Sequence, residues 1–434
     1  MVTEENKTCK KQDEPRLYKK RWFILFLYVI VAPTSTMQWT QYTIVADVIR
    51  DYYKVSYEAV NWTNLTALLC YVIFAFPSCY AIDKYGIRKT LIITTCATCV
   101  ATWIKVGSVS PDNFWVIIVG QIVLSIPQAC LLNLPPKLAA NWFGPDEVSM
   151  ACSVGLTGIQ LGAAFGFLLP PVLIKKETVD NDLFVTGLGL AVICTITLFL
   201  IVPFFSNKPS VPPSYAAMKQ DLTVNYIHSI KQILKNIPLI LAVLGAGINV
   251  AVFCVFQALL NQIILYNYPD GSEDAGLIGV LMVVMGLFGS VIAGIILDKF
   301  KIYRAFILIL DTSIVLTFIV FSFTLKMNII FPYVLFLILA KWSVSYQIAI
   351  ETSYPEPEAA VVGLINGVGQ SLGIAFTYAY SYIFYQFNDF WANIFLSSTC
   401  FVSLFFIAFS KFELKRQLTN TTLKDEVPKE ITKC

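Results

Sequence analysis

Twelve stretches of this chain are apolar and long enough to cross a bilayer, each crossing needing about 20 residues. They lie within 22–48, 59–81, 90–108, 113–140, 147–173, 184–205, 238–265, 275–297, 303–325, 328–351, 359–386 and 389–410. Inside hydrocarbon every backbone polar group must find an internal partner, which restricts such spans to packed helices. Only 14% of the 434 residues are charged and mean hydropathy is +0.68, whereas a soluble chain carries roughly 25% charged residues. The expected class is therefore an all-α integral membrane protein. The longest polar interruption, 206–237, contains NKPSVPPSY and the only histidine, His228, and it divides the spans six and six.

Lys and Arg predict the orientation. With the N-terminus inside, the cytosolic segments hold 23 of them. The opposite loops hold six, namely Arg50, Lys54, Lys105, Lys175, Lys176 and Lys326, while Lys137 and Lys341 fall within spans. The positive-inside rule then sets both termini in the cytosol, with the plasma membrane the expected location. The organisation follows as an N-tail (1–21), a six-helix bundle (22–205), a cytosolic loop (206–237), a second bundle (238–411) and a C-tail (412–434).

Other classes find little support. A net charge of +3 without a long Lys/Arg run does not suit a nucleic-acid partner. Nine of eleven cysteines lie in apolar runs, where a thiol acts as a small hydrophobe. The Cys96-x-x-Cys99 pair has no second pair or histidine beside it, so neither metal nor a disulfide framework is expected. A mostly polar tail precedes the first span, and no cleavable signal peptide is expected. There is no catalytic constellation and no glycine-rich phosphate loop. The reading is a non-enzyme without cofactor, acting as a monomer in the bilayer. Pro33, Pro127 and Pro170–Pro171 fall within or at ends of spans, and the glycosylation sequons at Asn61 and Asn64 sit against a span, where they are expected to be unused.

The two halves repeat. DKYGIRKTL (83–91) follows span 2 and DKFKIYRAF (298–306) follows span 8, 215 residues later; QLGAAF (160–165) in span 5 corresponds to QSLGIAF (370–376) in span 11. Half-length repetition predicts two bundles that move against each other around a central site. In the first loop Asp83, Gly86 and Arg88 suit a charged latch between bundles, with Asp83 and Arg88 pairing and Asp298 standing in the second copy, where Lys301 replaces the glycine.

STMQWTQYT (35–43) interrupts span 1 with two glutamines, a tryptophan, a tyrosine and four hydroxyls. Each unpaired polar group costs several kcal/mol in a bilayer, so these residues must face something other than lipid. Trp39 could be an interfacial belt residue, but its neighbours Gln38 and Gln41 point to a wet, cavity-facing surface. Two charges also lie deep: Asp311 in span 9 and Lys341 in span 10 reach similar depth, which predicts a buried pair. The alternative leaves Asp311 on a nearby hydroxyl such as Thr312.

DKYGIRK resembles the signature loop of the major facilitator superfamily, and twelve spans in two repeats agree with it. QWTQY (38–42), NWFGPDEVSMACSVGLTGIQLG (141–162), LLNQIILYNYP (259–269) and YPEPEAAVVGLINGVGQSLGI (354–374) resemble the feline leukaemia virus subgroup C receptor-related transporters, over about residues 20–415. That resemblance implies a carrier of choline and ethanolamine, with haem export as the earlier assignment in the family. It implies that Trp39 holds a cation against its ring, an attraction of about 0.5–2 kcal/mol, and that Gln128 and Gln370 hold the ligand's polar end. The family's span 7 tyrosine falls on Cys254, so half of the aromatic cage is missing. Gln38, Tyr42, Asn249, Gln257 and Asn366 are further candidates for the cavity wall. The alternatives are a haem transporter and a non-transporting receptor. Haem would want an axial His, Cys, Met or Tyr; no span holds a histidine, leaving Cys254, a nearby Met or Tyr42.

Overall fold

A computed structural model describes residues 16–410 apart from 145–146, 212, 214–231, 234, 301–302 and 340–357. Span 1 is split: α1 (Lys20–Thr36) ends in 3-10 turns at Met37–Trp39 and Thr43–Val45, and α2 (Ala46–Tyr53) completes the crossing. The causes are local. Pro33 cannot donate to the preceding turn, and the Thr34 and Thr36 hydroxyls compete for helix carbonyls, donating to Val31 and Ala32 at 2.8 and 2.9 Å. The polar stretch therefore sits where the helix has already loosened.

Spans 2 and 3 run almost continuously as α3 (Tyr57–Val106), started by the Ser56 side chain, which accepts from the Ala59 N–H, and broken at Gly86. Gly86 has φ 79°, a region open to glycine at no steric cost. The expected loop is thus reduced to one residue, with Asp83 still helical. The remaining elements are α4 (Phe114–Trp142), α5 (Val148–Leu173), α6 (Val179–Phe204), α7 (Ile237–Asn267), α8 (Ser272–Phe300), α9 (Tyr303–Thr324), α10 (Ile330–Leu339), α11 (Glu358–Gln386) and α12 (Asp389–Phe409). Among the described residues, nine helical stretches are long and apolar enough to span a membrane. Phe199, Trp115 and Ile73 are largely exposed on the outer surface, as suits contact with lipid. By contrast α7 is buried along most of its length, from Leu239 to Ile264.

The repeated glycines have equivalent jobs. A Cβ on Gly162 in α5 would lie 2.7 Å from the Pro33 Cα of α1, and one on Gly373 in α11 would lie 2.9 Å from the Cys254 Cβ of α7. Each glycine lets its helix close on the first helix of its own half. In the first half this close approach seats the segment that carries Trp39.

Three expectations are corrected here. Lys105 does not sit in an outer loop; it lies in the last turn of α3 and is buried, its ammonium held by amide oxygens. Asp83 pairs at 2.8 Å with Lys137 from α4, while the Arg88 guanidinium donates to the Val202 carbonyl at 3.1 Å at the end of α6. The lysine one helix away reaches Asp83 across packed spans, whereas Arg88 lies beyond the Gly86 break and faces α6. Thr312 donates to the Leu308 carbonyl, not to Asp311; Asp311 instead accepts from Asn249 at 3.4 Å. Lys341 and the Asp298 side chain lie outside the described residues. Asn61 and Asn64, the sequon residues, are buried in α3.

A central cavity as candidate functional site

Trp39, Tyr71, Ser125, Gln128 and Gln370, with the aliphatic Ala67, Leu68, Ala129 and Leu132, line one small cavity. Its walls come from the broken span 1, from α3, from α4 and from α11. The first three belong to one repeat and α11 to the other. Three of the four residues singled out in the sequence for ligand contact, Trp39, Gln128 and Gln370, therefore meet around one space, and Cys254 does not join them.

Gln128 and Trp39 are fixed from behind. Gln128 donates its amide nitrogen to both the Ser35 carbonyl and the Ser35 hydroxyl, at 3.2 Å each. A carbonyl can only accept, so the Gln128 amide is fixed with its Oε1 turned away from Ser35. That oxygen is buried and has no partner among the described residues, and the same holds for Gln370 Oε1 and Trp39 Nε1. An unpaired buried polar atom costs about 1–3 kcal/mol. Three of them around one cavity mark a surface complementary to a small polar ligand.

Trp39 is held by its backbone. Its carbonyl accepts from Asn64 Nδ2 at 3.1 Å. Its neighbour Gln38 is wholly buried and bonded three ways. It donates to the Thr34 carbonyl at 2.9 Å, its Oε1 accepts from Lys105 Nζ at 3.0 Å, and its own carbonyl accepts from Gln121 Nε2 at 3.3 Å. Lys105 closes the ring at 2.6 Å from Gln121 Oε1. Gln38 thus clamps the turn and does not line the cavity. The Tyr42 ring lies beside Lys105, with its centroid 5.7 Å from the ammonium.

The remaining candidates lie elsewhere. Cys254 is buried against Gly373 in a cluster with Leu65, Leu68 and Val250. Asn249 meets Asp311 deeper in the second half. The Gln257 carbonyl accepts from Thr43 at 2.8 Å. Asn366 bonds the hydroxyl of Tyr71, which also donates to Asn133 at 3.4 Å. Tyr71 and Ser125 were not singled out in advance. Ser125 could have been, because it stands three residues before Gln128 and so shares its helix face. Tyr71 had no comparable signal.

The two halves are joined by hydrogen bonds at the end opposite residues 16–21 and 205–210. Thr43 donates to the Gln257 carbonyl, Asn261 donates to the Ile44 carbonyl at 2.8 Å and to Asp47 at 3.2 Å, and Gln262 donates to Asn61 at 2.8 Å. Lys176 adds a 3.0 Å ion pair to the buried Asp47 carboxylate. Asp47 is thus a structural anchor at this end of the cavity.

Residues 24–378 match the Major Facilitator Superfamily. The chain is 35% identical to the choline/ethanolamine transporter flvcr2a of Danio rerio, over 96% of this chain and 92% of that one. It is 31% identical to the choline/ethanolamine transporter FLVCR2 of Homo sapiens, over 96% and 82%. The chain belongs to the feline leukaemia virus subgroup C receptor-related branch of that superfamily. It is also 37% identical to an uncharacterised MFS-type transporter of Caenorhabditis elegans, over 93% of this chain and 71% of that one. The fold likewise matches the crystal structure of a bacterial homologue of the lysosomal transporter Spinster in an inward-facing, unoccupied conformation. The TM-score is 0.63 at 16% identity, covering 91% of this chain and 95% of that one. Family membership makes the chain a multi-pass membrane transporter and gives the two repeats their meaning, as the two bundles of a major facilitator.

Proposed function

We propose that this protein carries small amino-alcohol cations, of the choline and ethanolamine type, across the plasma membrane by alternating access. The observation that carries this reading is the convergence of Trp39, Gln128 and Gln370, from both repeats, on one small cavity, with Trp39 Nε1, Gln128 Oε1 and Gln370 Oε1 buried and without a partner among the described residues. The names of the relatives agree with it. Trp39 offers the cation an aromatic face, the strongest of the three aromatic types. Gln128 and Gln370 offer uncharged acceptors to the ligand's polar hydrogens. No carboxylate lines the cavity among the described residues. A cation entering down the membrane potential gains about 2.3 kcal/mol per 100 mV, so its transport requires no coupling ion.

In this reading 22–205 and 238–411 are the moving bundles, 206–237 joins them on the cytosolic side, and both termini are cytosolic. The hydrogen bonds between Asn261 and residues 44 and 47 then close the extracellular end. Haem finds less support: Cys254 and Tyr42 do not line the cavity, and the hydroxyl of Tyr71, which does, is bonded to Asn133 and Asn366. The test is uptake of radiolabelled choline, ethanolamine and haem by cells expressing the protein, against cells that do not. Saturable uptake of either amino alcohol is expected. Uptake of haem alone, or of none of the three, would overturn the reading.

A further inference from the structure

We infer that the cavity favours amino alcohols whose ammonium keeps at least one N–H over their quaternary analogues. This rests on the amino-alcohol reading above and narrows its substrate class. The argument is a count of donors and acceptors. Gln128 cannot turn its amide over without setting its carbonyl against the Ser35 carbonyl, so it presents Oε1. Gln370 presents a second unpartnered Oε1, and Trp39 presents an N–H. Both glutamine side chains are more than nine-tenths buried, at 2% and 8% exposure, so bulk water does not relieve them.

An amino alcohol's hydroxyl can accept from Trp39 Nε1 and donate its single hydrogen to one glutamine carbonyl. The other carbonyl then needs a second donor. A primary, secondary or tertiary ammonium supplies an N–H there. A quaternary ammonium presents methyl groups and leaves the oxygen buried and unpaired. Leaving such an acceptor unpaired weakens binding on the order of ten- to a hundredfold. The usual compensation for a quaternary cation is a closed aromatic cage. Here the span 7 position is Cys254, packed against Gly373 and turned out of the lining. Tyr71 offers a second ring, but its hydroxyl is tied to Asn133 and Asn366, which fixes it in one orientation.

The experiment is competition by ethanolamine, N-methylethanolamine, N,N-dimethylethanolamine and choline against radiolabelled ethanolamine uptake, with direct titration on the purified full-length protein. The protonated form of the first three carries an N–H; choline carries none. Affinity should change little across the first three and fall about tenfold or more at the last methyl. Gln128→Leu and, separately, Gln370→Leu should shrink that step, because either removes one acceptor. Choline binding as tightly as the dimethyl compound, or a step untouched by both variants, would overturn the inference while leaving amino-alcohol transport standing. If none of the four competes or binds, the transport reading itself fails.

Discussion

Lys105 Nζ lies 3.0 Å from Gln38 Oε1, and through that bond a buried cation in α3 holds the turn that carries Trp39. The same ammonium bonds Gln121 Oε1, so three spans meet on one charge whose partners are all neutral. Lys105→Met should strand two amide oxygens and destabilise the protein by about 1–3 kcal/mol. It should also raise KM for uptake more than it lowers kcat, because the turn beside the cavity loosens. Thermal melting in detergent reads the first effect and uptake kinetics the second. Unchanged melting together with unchanged KM would show that the clamp does not hold the turn.

The bonds from Asn261 to Ile44 and Asp47 tie the two halves together at one end. Asn261→Ala removes both and should shift the population toward states open at that end. Ser125, on the cavity wall, provides the reporter: after Ser125→Cys, a membrane-impermeant thiol reagent applied outside should label faster in the Asn261→Ala background. Equal labelling rates in the two backgrounds would mean that these bonds do not set the closed state.

At the opposite end the Asp83–Lys137 pair, 2.8 Å apart, is partly exposed on both sides, and such pairs contribute little static stability. Its expected role lies in cycling. Asp83→Asn should slow turnover several-fold while leaving ligand affinity within about twofold. Lost binding with normal turnover of the remaining sites would place Asp83 in the ligand site instead.

The bundle was legible because hydrophobic length is a property of single segments. The repeats were legible for a similar reason: Gly162 and Gly373 recur in matching words, and the structure shows each receiving its partner helix. Trp39, Gln128 and Gln370 were reached through family resemblance together with the polar interruption of span 1. What stayed hidden depends on how helices rotate against one another. Gln38 reads as a cavity residue next to Trp39, yet the 3-10 turn sends it back toward Lys105. Lys105 reads as a loop cation because it stands at the end of an apolar run, although α3 continues through it. Asp83 has several nearby cations in sequence, and only the packing of α4 against α3 selects Lys137.

The central claim is that Trp39 holds the transported cation. Its most direct test is initial uptake of radiolabelled ethanolamine and choline by wild type, Trp39→Phe and Trp39→Ala at matched surface expression. The account predicts that saturable uptake is lost in Trp39→Ala and partly retained in Trp39→Phe, since phenylalanine keeps a weaker aromatic face. Uptake by Trp39→Ala equal to wild type for both substrates would contradict it.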